Sequence, residues 1–170
     1  MRFRLSGIVN DSIVDGPGLR LTVFMQGCPY GCPGCHNPQT HDVMGGREAD
    51  TEEVRAMLKK NPLLDGLTLS GGEPLLQPQA AREMAEMAKT QGLNVWCYTG
   101  DTVEHMLKNR APDVMAALEH IDVLVDGPFI LEQKSLDLRF RGSRNQRLIN
   151  MPATLKAGKA VLWDNTNSKR

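Results

Sequence analysis

The order of apolar and amphipathic stretches restricts this chain to a small group of folds. Short runs rich in β-branched and aromatic residues alternate with stretches that have the composition and end residues of helices. Strands separated by helices indicate parallel strands joined by crossover helices. The predicted strands are 19–27, 67–70, 94–100 and 121–127, with 159–164 as a possible last strand, and the predicted helices are 50–61, 78–92, about 102–109 and 112–120.

The length of 170 residues limits how far such a sheet can close. A closed barrel of eight strand–helix units typically needs about 250 residues. We therefore predict an α/β fold whose parallel strands form a partial, incomplete β/α barrel or an open curved sheet. Because no repeat, linker or change in composition divides the chain, residues 1–170 are expected to form a single domain.

Charge and hydropathy argue against several classes of partner. The chain has 20 Lys and Arg against 20 Asp and Glu, so its net charge is zero. Duplex nucleic acid and anionic membranes both favour proteins with a basic excess. No long apolar run follows the N-terminal arginines, and no segment has the roughly 20 apolar residues that span a bilayer. We expect a cytoplasmic protein that binds neither nucleic acid nor membrane.

Three of the four cysteines lie in one loop that directly follows the first predicted strand. Cys28, Cys32 and Cys35 have the spacing C-x3-C-x2-C, and the prolines and glycines between them let the backbone wrap closely around a bulky group. In a reducing compartment, clustered cysteines indicate metal ligands or redox groups rather than disulfides. Soft thiolates select zinc, copper(I) or iron–sulfur clusters.

The absence of a fourth cysteine from this loop bears on the choice of metal. A structural zinc ion takes four protein ligands, and either His36 or His41 is available as the fourth. Three thiolates on a [4Fe–4S] cluster leave one iron without a protein ligand, and an open position is where a substrate or cosubstrate binds. Cys97 lies among apolar residues, which favours an inert buried thiol. If Cys97 were instead a fourth ligand of the cluster, the protein would be an electron carrier.

Four segments follow predicted strands and are polar, glycine-rich or both. They are the cysteine loop and the sequences SGGEP, YTGD and VDGP. In parallel α/β folds, ligands bind at the C-terminal ends of the strands. These segments could therefore face one shared site, although they are far apart in sequence.

The cysteine loop after one strand, together with SGGEP after the next, resembles the radical S-adenosylmethionine superfamily. Further segments resemble the activating proteins of anaerobic, class III ribonucleotide reductases. These segments are DGPGLR (15–20), GCPGCHNP (31–38), LVDGPF (124–129) and RGSRNQR (141–147). The resemblance runs from about residue 8 to residue 150, and the short length also matches.

The resemblance implies an activase that works through two cofactors. A [4Fe–4S] cluster would be held by Cys28, Cys32 and Cys35, and the amine and carboxylate of S-adenosylmethionine would chelate the fourth iron. One electron from a flavodoxin-like or ferredoxin-like donor would release a 5′-deoxyadenosyl radical. That radical would abstract hydrogen from one glycine of a large partner, a class III ribonucleotide reductase. An incompletely closed barrel would leave a side open for the loop that carries this glycine.

The resemblance also implies which residues surround S-adenosylmethionine, while the cluster and cofactor themselves carry the chemistry. Gly34 and His36 flank Cys35, where the family contacts the adenosyl group. Gly71 and Gly72 lack Cβ atoms, so backbone carbonyls can approach the ligand ammonium.

Three polar residues at predicted strand ends complete the implied cofactor site. Glu73 offers a carboxylate beside the two glycines. Thr99 and Asp126 are candidates for contacts to the ribose or amine, although polar residues at strand ends often act only as caps or turn formers.

Some features leave alternatives open. The arginines of segment 139–147 are compatible with a solvated surface, a grip on the ligand carboxylate or contact with an acidic patch on the partner. The chain is also compatible with an activase of another glycyl radical enzyme, such as pyruvate formate-lyase, or with a small-molecule radical enzyme. Against the former, CPGC lacks a bulky aromatic residue before the last cysteine, and the chain is short. A non-catalytic iron–sulfur or zinc protein is the third possibility.

Overall fold

The computed structural model describes residues 1–164, which form a seven-stranded sheet with helices between the strands. The strands are β1 (Arg2–Ser12), β2 (Arg20–Met25), β3 (Arg47–Asp50), β4 (Gly66–Gly71), β5 (Asn94–Tyr98), β6 (Val123–Asp126) and β7 (Arg147–Asn150). Their order across the sheet is β3-β1-β2-β4-β5-β6-β7. The central strands β2, β4, β5 and β6 pair in parallel, and β1, β3 and β7 pair antiparallel at the two edges.

The helices provide the crossovers between the parallel strands. They are α1 (Thr51–Lys60), α2 (Pro78–Thr90), α3 (Val103–Asn109), α4 (Pro112–Leu118) and α5 (Met151–Ala157). The first four coincide with predicted helices, and α1 begins with a capping box formed by Asp50 and Glu53. None of the helices in the described chain has the length and apolar character needed to cross a membrane.

One face of the sheet packs against the helices and forms the main core. Side chains alternate between the two faces of a strand, so Leu21, Val23 and Met25 of β2 all lie on this face and are almost fully buried. Cys97 of β5 is buried in the same core. The helical members of the core include Val54, Leu58, Ala81, Met84, Ala85, Ala88, Val103, Met106 and Leu118.

The opposite face carries polar and aromatic residues, and Arg20 is fully buried there. Its guanidinium donates to Thr68 Oγ1 at 2.7 Å, to Leu67 O at 2.9 Å and to Pro17 O at 2.9 Å, and it lies 5.7 Å from the ring centroid of Trp96. Desolvation lowers the pKa of Arg20 to about 10. These hydrogen bonds compensate the burial of the charge and fix the segment before β2 to β4.

The predicted α/β fold with an incomplete parallel barrel is confirmed, but its edges were not foreseen. β1, β3, β7 and α5 are absent from the sequence-based prediction. The strands β1, β3 and β7 mix charged with apolar residues, and the two edge strands β3 and β7 pair with strands that are not close in the sequence. The possible last strand at 159–164 is wrong as a regular strand. That segment forms one isolated antiparallel bridge, between Leu162 and Ile149.

Truncation of a buried leucine tests the placement of the core. Leu69 of β4 is 0% exposed, so Leu69→Ala should lower the free energy of unfolding by about 2–5 kcal/mol through lost burial and a residual cavity. Leu63 is 75% exposed, and Leu63→Ala, the same chemical change, should stay within about 0.5 kcal/mol of the parent. Urea denaturation followed by circular dichroism measures both, and equal losses would contradict this core.

Candidate functional site

The cysteine loop leaves β2 at Gly27 and is fixed where its two ends meet. Gly27 N donates to Thr40 O at 2.7 Å, and Cys28 N donates to His41 O at 3.2 Å. The buried side chain of Gln26 donates to two further carbonyls of the returning segment, Gln39 O at 3.0 Å and Asp42 O at 2.7 Å. Both ends of the loop are therefore anchored, and the cysteines lie between them.

Cys28, Cys32 and Cys35 are free thiols of intermediate exposure, and all three line one cavity. Cys35 N donates to Cys32 O at 3.1 Å, and Asn37 N donates to Cys35 Sγ at 3.4 Å. Burial raises the pKa of the Cys28 thiol. Within residues 1–164, no three His, Cys, Asp or Glu side chains are gathered closely enough to hold a single metal ion. The fourth cysteine, Cys97, faces the helical core and does not line the cavity.

The cavity has a volume of about 550 Å³ and lies where the parallel strands end. Its wall contains the three cysteines, residues from the ends of β2, β4 and β5, the segment after β6 and part of the C-terminal third of the chain. Besides the cysteines, the wall includes Val9, Ser12, Val14, Asp15, Tyr30, His36, Ser70, Gly71, Gly72, Tyr98, Thr99, Gly100, Gly127, Phe129, Leu138, Phe140, Arg141, Gly142 and Gln146. The four segments that follow the predicted strands thus meet at one place.

Gly71 and Gly72 lie where the end of β4 passes close to the end of β2. Gly71 has φ of +103°, and a Cβ atom there would lie 2.4 Å from Met25 N. A Cβ at Gly72 would lie 2.3 Å from Gly27 O. A side chain at either position would therefore collide with the protein's own backbone. Both positions require glycine for this reason, in addition to the predicted approach of their carbonyls to a ligand.

Glu73 is 4% exposed, and its side chain does not line the main cavity. The carboxylate accepts hydrogen bonds from Leu75 N at 3.0 Å, Thr99 Oγ1 at 3.0 Å and Gly100 N at 2.9 Å. Desolvation outweighs these donors and raises the pKa of Glu73 to about 7. This side chain joins the loop after β4 to the loop after β5, and its contact with the ligand stays a prediction. Thr99 does line the cavity, although its hydroxyl is already bonded to Glu73.

Asp126 is 1% exposed and is likewise absent from the cavity wall. Its carboxylate forms an ion pair with Arg147 and accepts from Val103 N at 3.0 Å, at the start of α3. Arg147 also pairs with Glu104, and these hydrogen bonds raise the pKa of Arg147. Asp126 therefore joins the end of β6 to Arg147 and to the start of α3, and the neighbouring Gly127 lines the cavity. The contact between Asp126 and the ligand stays a prediction.

The last cysteine is flanked by two residues with different environments. His36 lines the cavity, and its ring packs against Phe129 with 5.1 Å between centroids. Gly34 has φ of +75° and does not line the cavity. A Cβ at Gly34 would lie 2.8 Å from Leu131 Cδ1, so the cysteine loop is packed closely against the segment after β6.

Several cavity residues were not singled out from the sequence. Asp15 accepts from Thr22 Oγ1 at 3.0 Å and from Ser12 Oγ through the same oxygen, Oδ2. Tyr30 packs over Gly100, where an added Cβ would lie 2.6 Å from its ring. Desolvation raises the pKa of Tyr30. The DGPGLR segment, already part of the family resemblance, was the available signal for Asp15.

The arginines of segment 139–147 have different surroundings. Arg147 is paired with carboxylates, and Arg139 is exposed and lies 4.8 Å over the ring of Phe140. Arg144 is exposed, whereas Arg141 is half-buried and lines the cavity. This segment is therefore not a uniform basic patch.

Comparisons with known proteins bear on the same region. A family model described as a 4Fe-4S single cluster domain matches residues 14–149. The anaerobic ribonucleoside-triphosphate reductase-activating protein of Vibrio cholerae is 37% identical over 142 residues, covering 79% of this chain and 89% of that protein. The pyruvate formate-lyase-activating enzyme of Clostridium pasteurianum is 37% identical over 128 residues, which cover 70% of this chain and 53% of that enzyme.

A solved structure shares the fold. The crystal structure of QueE from Escherichia coli matches with a TM-score of 0.50 at 16% identity. The match covers 60% of this chain and 54% of the QueE chain, so it spans about half the length of QueE. At this identity the likeness concerns the fold alone.

Single cysteine substitutions test which thiols hold the metal. After anaerobic reconstitution with iron and sulfide, Cys28→Ala, Cys32→Ala and Cys35→Ala should each lose most of the bound iron and sulfide, because each removes a thiolate ligand from the cavity wall. Cys97→Ala is the matched control and should retain both, since Cys97 faces the core. Loss of the cluster from Cys97→Ala alone, with normal circular dichroism, would contradict this assignment.

The raised pKa of Glu73 predicts a pH dependence of stability. Between an unfolded pKa of about 4.3 and the folded value of about 7, the folded state binds this proton and the unfolded state does not, so stability falls as pH rises through that range. Glu73→Gln should flatten this slope. Urea midpoints from pH 5 to pH 8 measure it for both proteins, and parallel curves would contradict the prediction.

Proposed function

The chain belongs to the family of anaerobic ribonucleoside-triphosphate reductase-activating proteins, and from this premise we propose that it installs a glycyl radical on an anaerobic ribonucleotide reductase. The observation that carries the proposal is the position of Cys28, Cys32 and Cys35 on the wall of one cavity at the ends of parallel strands. In that position, a group held by the thiols and a ligand held by the strand ends would touch each other.

The residues present fit a [4Fe–4S] cluster. Three unpaired thiols with partial access to the cavity are soft ligands of the kind that iron–sulfur clusters use, and they leave one iron for a cosubstrate. Asn37 N already donates to Cys35 Sγ, and hydrogen bonds to ligand sulfurs tune such clusters. When bound, the cluster and S-adenosylmethionine supply a 5′-deoxyadenosyl radical that abstracts hydrogen from a glycine.

The cavity also suits S-adenosylmethionine. Its volume of about 550 Å³ lies within the range of small-molecule sites, about 300–1,000 Å³. Residues 70–72 line the same cavity as the cysteines, and Thr99, Gly100 and Gly127 continue the wall just after β5 and β6. We assign these residues to binding and orienting the ligand, and we assign Glu73 and Asp126 to positioning them.

An apolar rim suits entry of a peptide. Val9 and Val14 line the cavity and are 46% and 71% exposed, and Leu138 lines it from the C-terminal segment. The sheet ends at β7 rather than closing into a barrel. We therefore place the entry of the glycine-bearing loop at this rim, where apolar side chains can exclude water around it.

A flavodoxin-like or ferredoxin-like protein is the proposed electron donor. A cytoplasmic location suits thiols that must stay reduced to bind iron. We also propose that residues 1–170 act as one domain, because a single sheet joins strands from Arg2 to Asn150.

A second candidate target is pyruvate formate-lyase. The 37% identity to a pyruvate formate-lyase-activating enzyme supports this alternative, but the match leaves nearly half of that enzyme uncovered. The relatives named as ribonucleotide reductase activators match along nearly their whole length, which favours the reductase as the target.

Radical formation on the target tests the proposal directly. The reduced, reconstituted protein is mixed anaerobically with S-adenosylmethionine and the class III reductase encoded in the same genome, and electron spin resonance is recorded. A glycyl doublet is expected, because hydrogen abstraction leaves a stable radical on that reductase. It should be absent with the Cys28→Ala variant and with a reductase whose candidate glycine is replaced by Ala.

Pyruvate formate-lyase serves as the competing target in the same assay. A doublet that forms only on pyruvate formate-lyase would identify that enzyme, and not the reductase, as the target. No doublet on either protein, with an intact cluster and bound S-adenosylmethionine, would overturn the activase function.

A further inference from the structure

The cavity wall carries very little fixed charge in the described chain. Among its lining residues, Arg141 is the only Arg or Lys, and Asp15 is the only Asp or Glu. The two are not joined by an ion pair. A wall with one cationic and one anionic group that do not pair with each other favours one orientation of a ligand that itself carries both charges.

The guanidinium of Arg141 retains unused donors. Its Nη1 donates to Gln146 O at 2.5 Å, and within residues 1–164 neither Nε nor Nη2 has a hydrogen-bond partner. Of the other arginines of this segment, Arg147 is occupied by two carboxylates, while Arg139 and Arg144 are exposed and do not line the cavity. Arg141 is thus the arginine of this segment that can donate to a group in the cavity.

The turn that carries Arg141 is held in place by hydrogen bonds of its own. Gln146 Oε1 accepts from Gly142 N at 2.9 Å and from Ser143 N at 3.1 Å, and Gln146 Nε2 donates to Gly127 O at 3.1 Å. Phe140, just before Arg141, adopts a left-handed φ of +64°, and its carbonyl accepts from the Tyr98 hydroxyl. Such backbone conformations persist only where surrounding contacts enforce them. The guanidinium is therefore presented by a preorganised turn.

The turn also lies next to the cysteine loop. A Cβ added at Gly142 would lie 3.3 Å from His36 Cε1 and 3.2 Å from the ring of Phe129. His36 directly follows Cys35 in the sequence. The turn that carries Arg141 is thus close to the residue that follows the last cysteine of the loop.

We propose that the Arg141 guanidinium binds the α-carboxylate of S-adenosylmethionine, an inference that rests on the proposed function. A guanidinium forms strong charge-assisted hydrogen bonds with a carboxylate, and the cavity has no other permanent cation to offer. Arg141 is a binding residue here, and the remaining arginines of the segment have other roles.

A ligand that lacks only the carboxylate tests this contact. The full-length protein with its cluster is equilibrated anaerobically with S-adenosylmethionine or with decarboxylated S-adenosylmethionine, and binding is measured by equilibrium dialysis. Arg141→Met should weaken binding of S-adenosylmethionine by about tenfold to a hundredfold, the effect of losing a hydrogen bond to a charged group. It should leave binding of the decarboxylated ligand unchanged, and Arg141→Lys should recover part of the loss.

Arg144→Met is the matched control, because Arg144 is an exposed arginine three residues away. It should bind both ligands like the parent. Iron content and thermal midpoint, measured for every variant, identify a variant whose turn or cluster has been disturbed.

The outcomes distinguish a failure of the Arg141 contact from a failure of the proposed function. Equal weakening of both ligands by Arg141→Met would overturn the contact and assign Arg141 to supporting its turn. Unchanged binding of S-adenosylmethionine would also overturn it, and a loss of reductase binding in that variant would assign the guanidinium to the protein partner. If the parent protein with an intact cluster binds neither ligand, the proposed function itself fails.

Discussion

The backbone junction at Gly27 is the contact on which the rest of the site depends. Gly27 donates to Thr40 O, where the cysteine loop returns, and accepts from Glu73 N, just after β4. Its φ of +100° is a conformation that favours glycine, and the nearby Gly72 has no room for a Cβ. Both ends of the cysteine loop and the end of β4 therefore form one hydrogen-bonded unit, which fixes where the loop starts and ends relative to the strand ends.

Buried polar side chains extend this unit across the sheet. Glu73 connects the end of β4 to Thr99 and Gly100 after β5, and Asp126 connects β6 to Arg147 and to the start of α3. Burial of a carboxylate is unfavourable unless it is hydrogen-bonded or paired, and both groups meet that condition. Acidic groups thus hold the architecture, and the cavity wall is left mainly to thiols, backbone, aromatic rings and few charges.

The sequence predicted the parts of the molecule that local patterns specify. The parallel strands were visible as apolar runs, and their shared direction brings the cysteines, Gly71, Gly72 and Thr99 to one cavity. Edge strands were missed because their pairing depends on distant segments. Glu73 and Asp126 sit at the predicted strand ends, but the direction of each carboxylate depends on partners such as Arg147, whose proximity no local pattern shows.

The C-terminal third shows how a chain too short for a closed barrel still encloses a ligand site. After β6 the chain crosses the cavity and returns as β7, antiparallel to β6. The crossing segment packs Phe129 against His36 and buries Ser143 completely. The turn that carries Arg141 is held by hydrogen bonds between the Gln146 side chain and backbone groups. In a closed barrel, pairing with further strands would fix this part of the chain. The least regular part of the sequence therefore contributes much of the cavity wall.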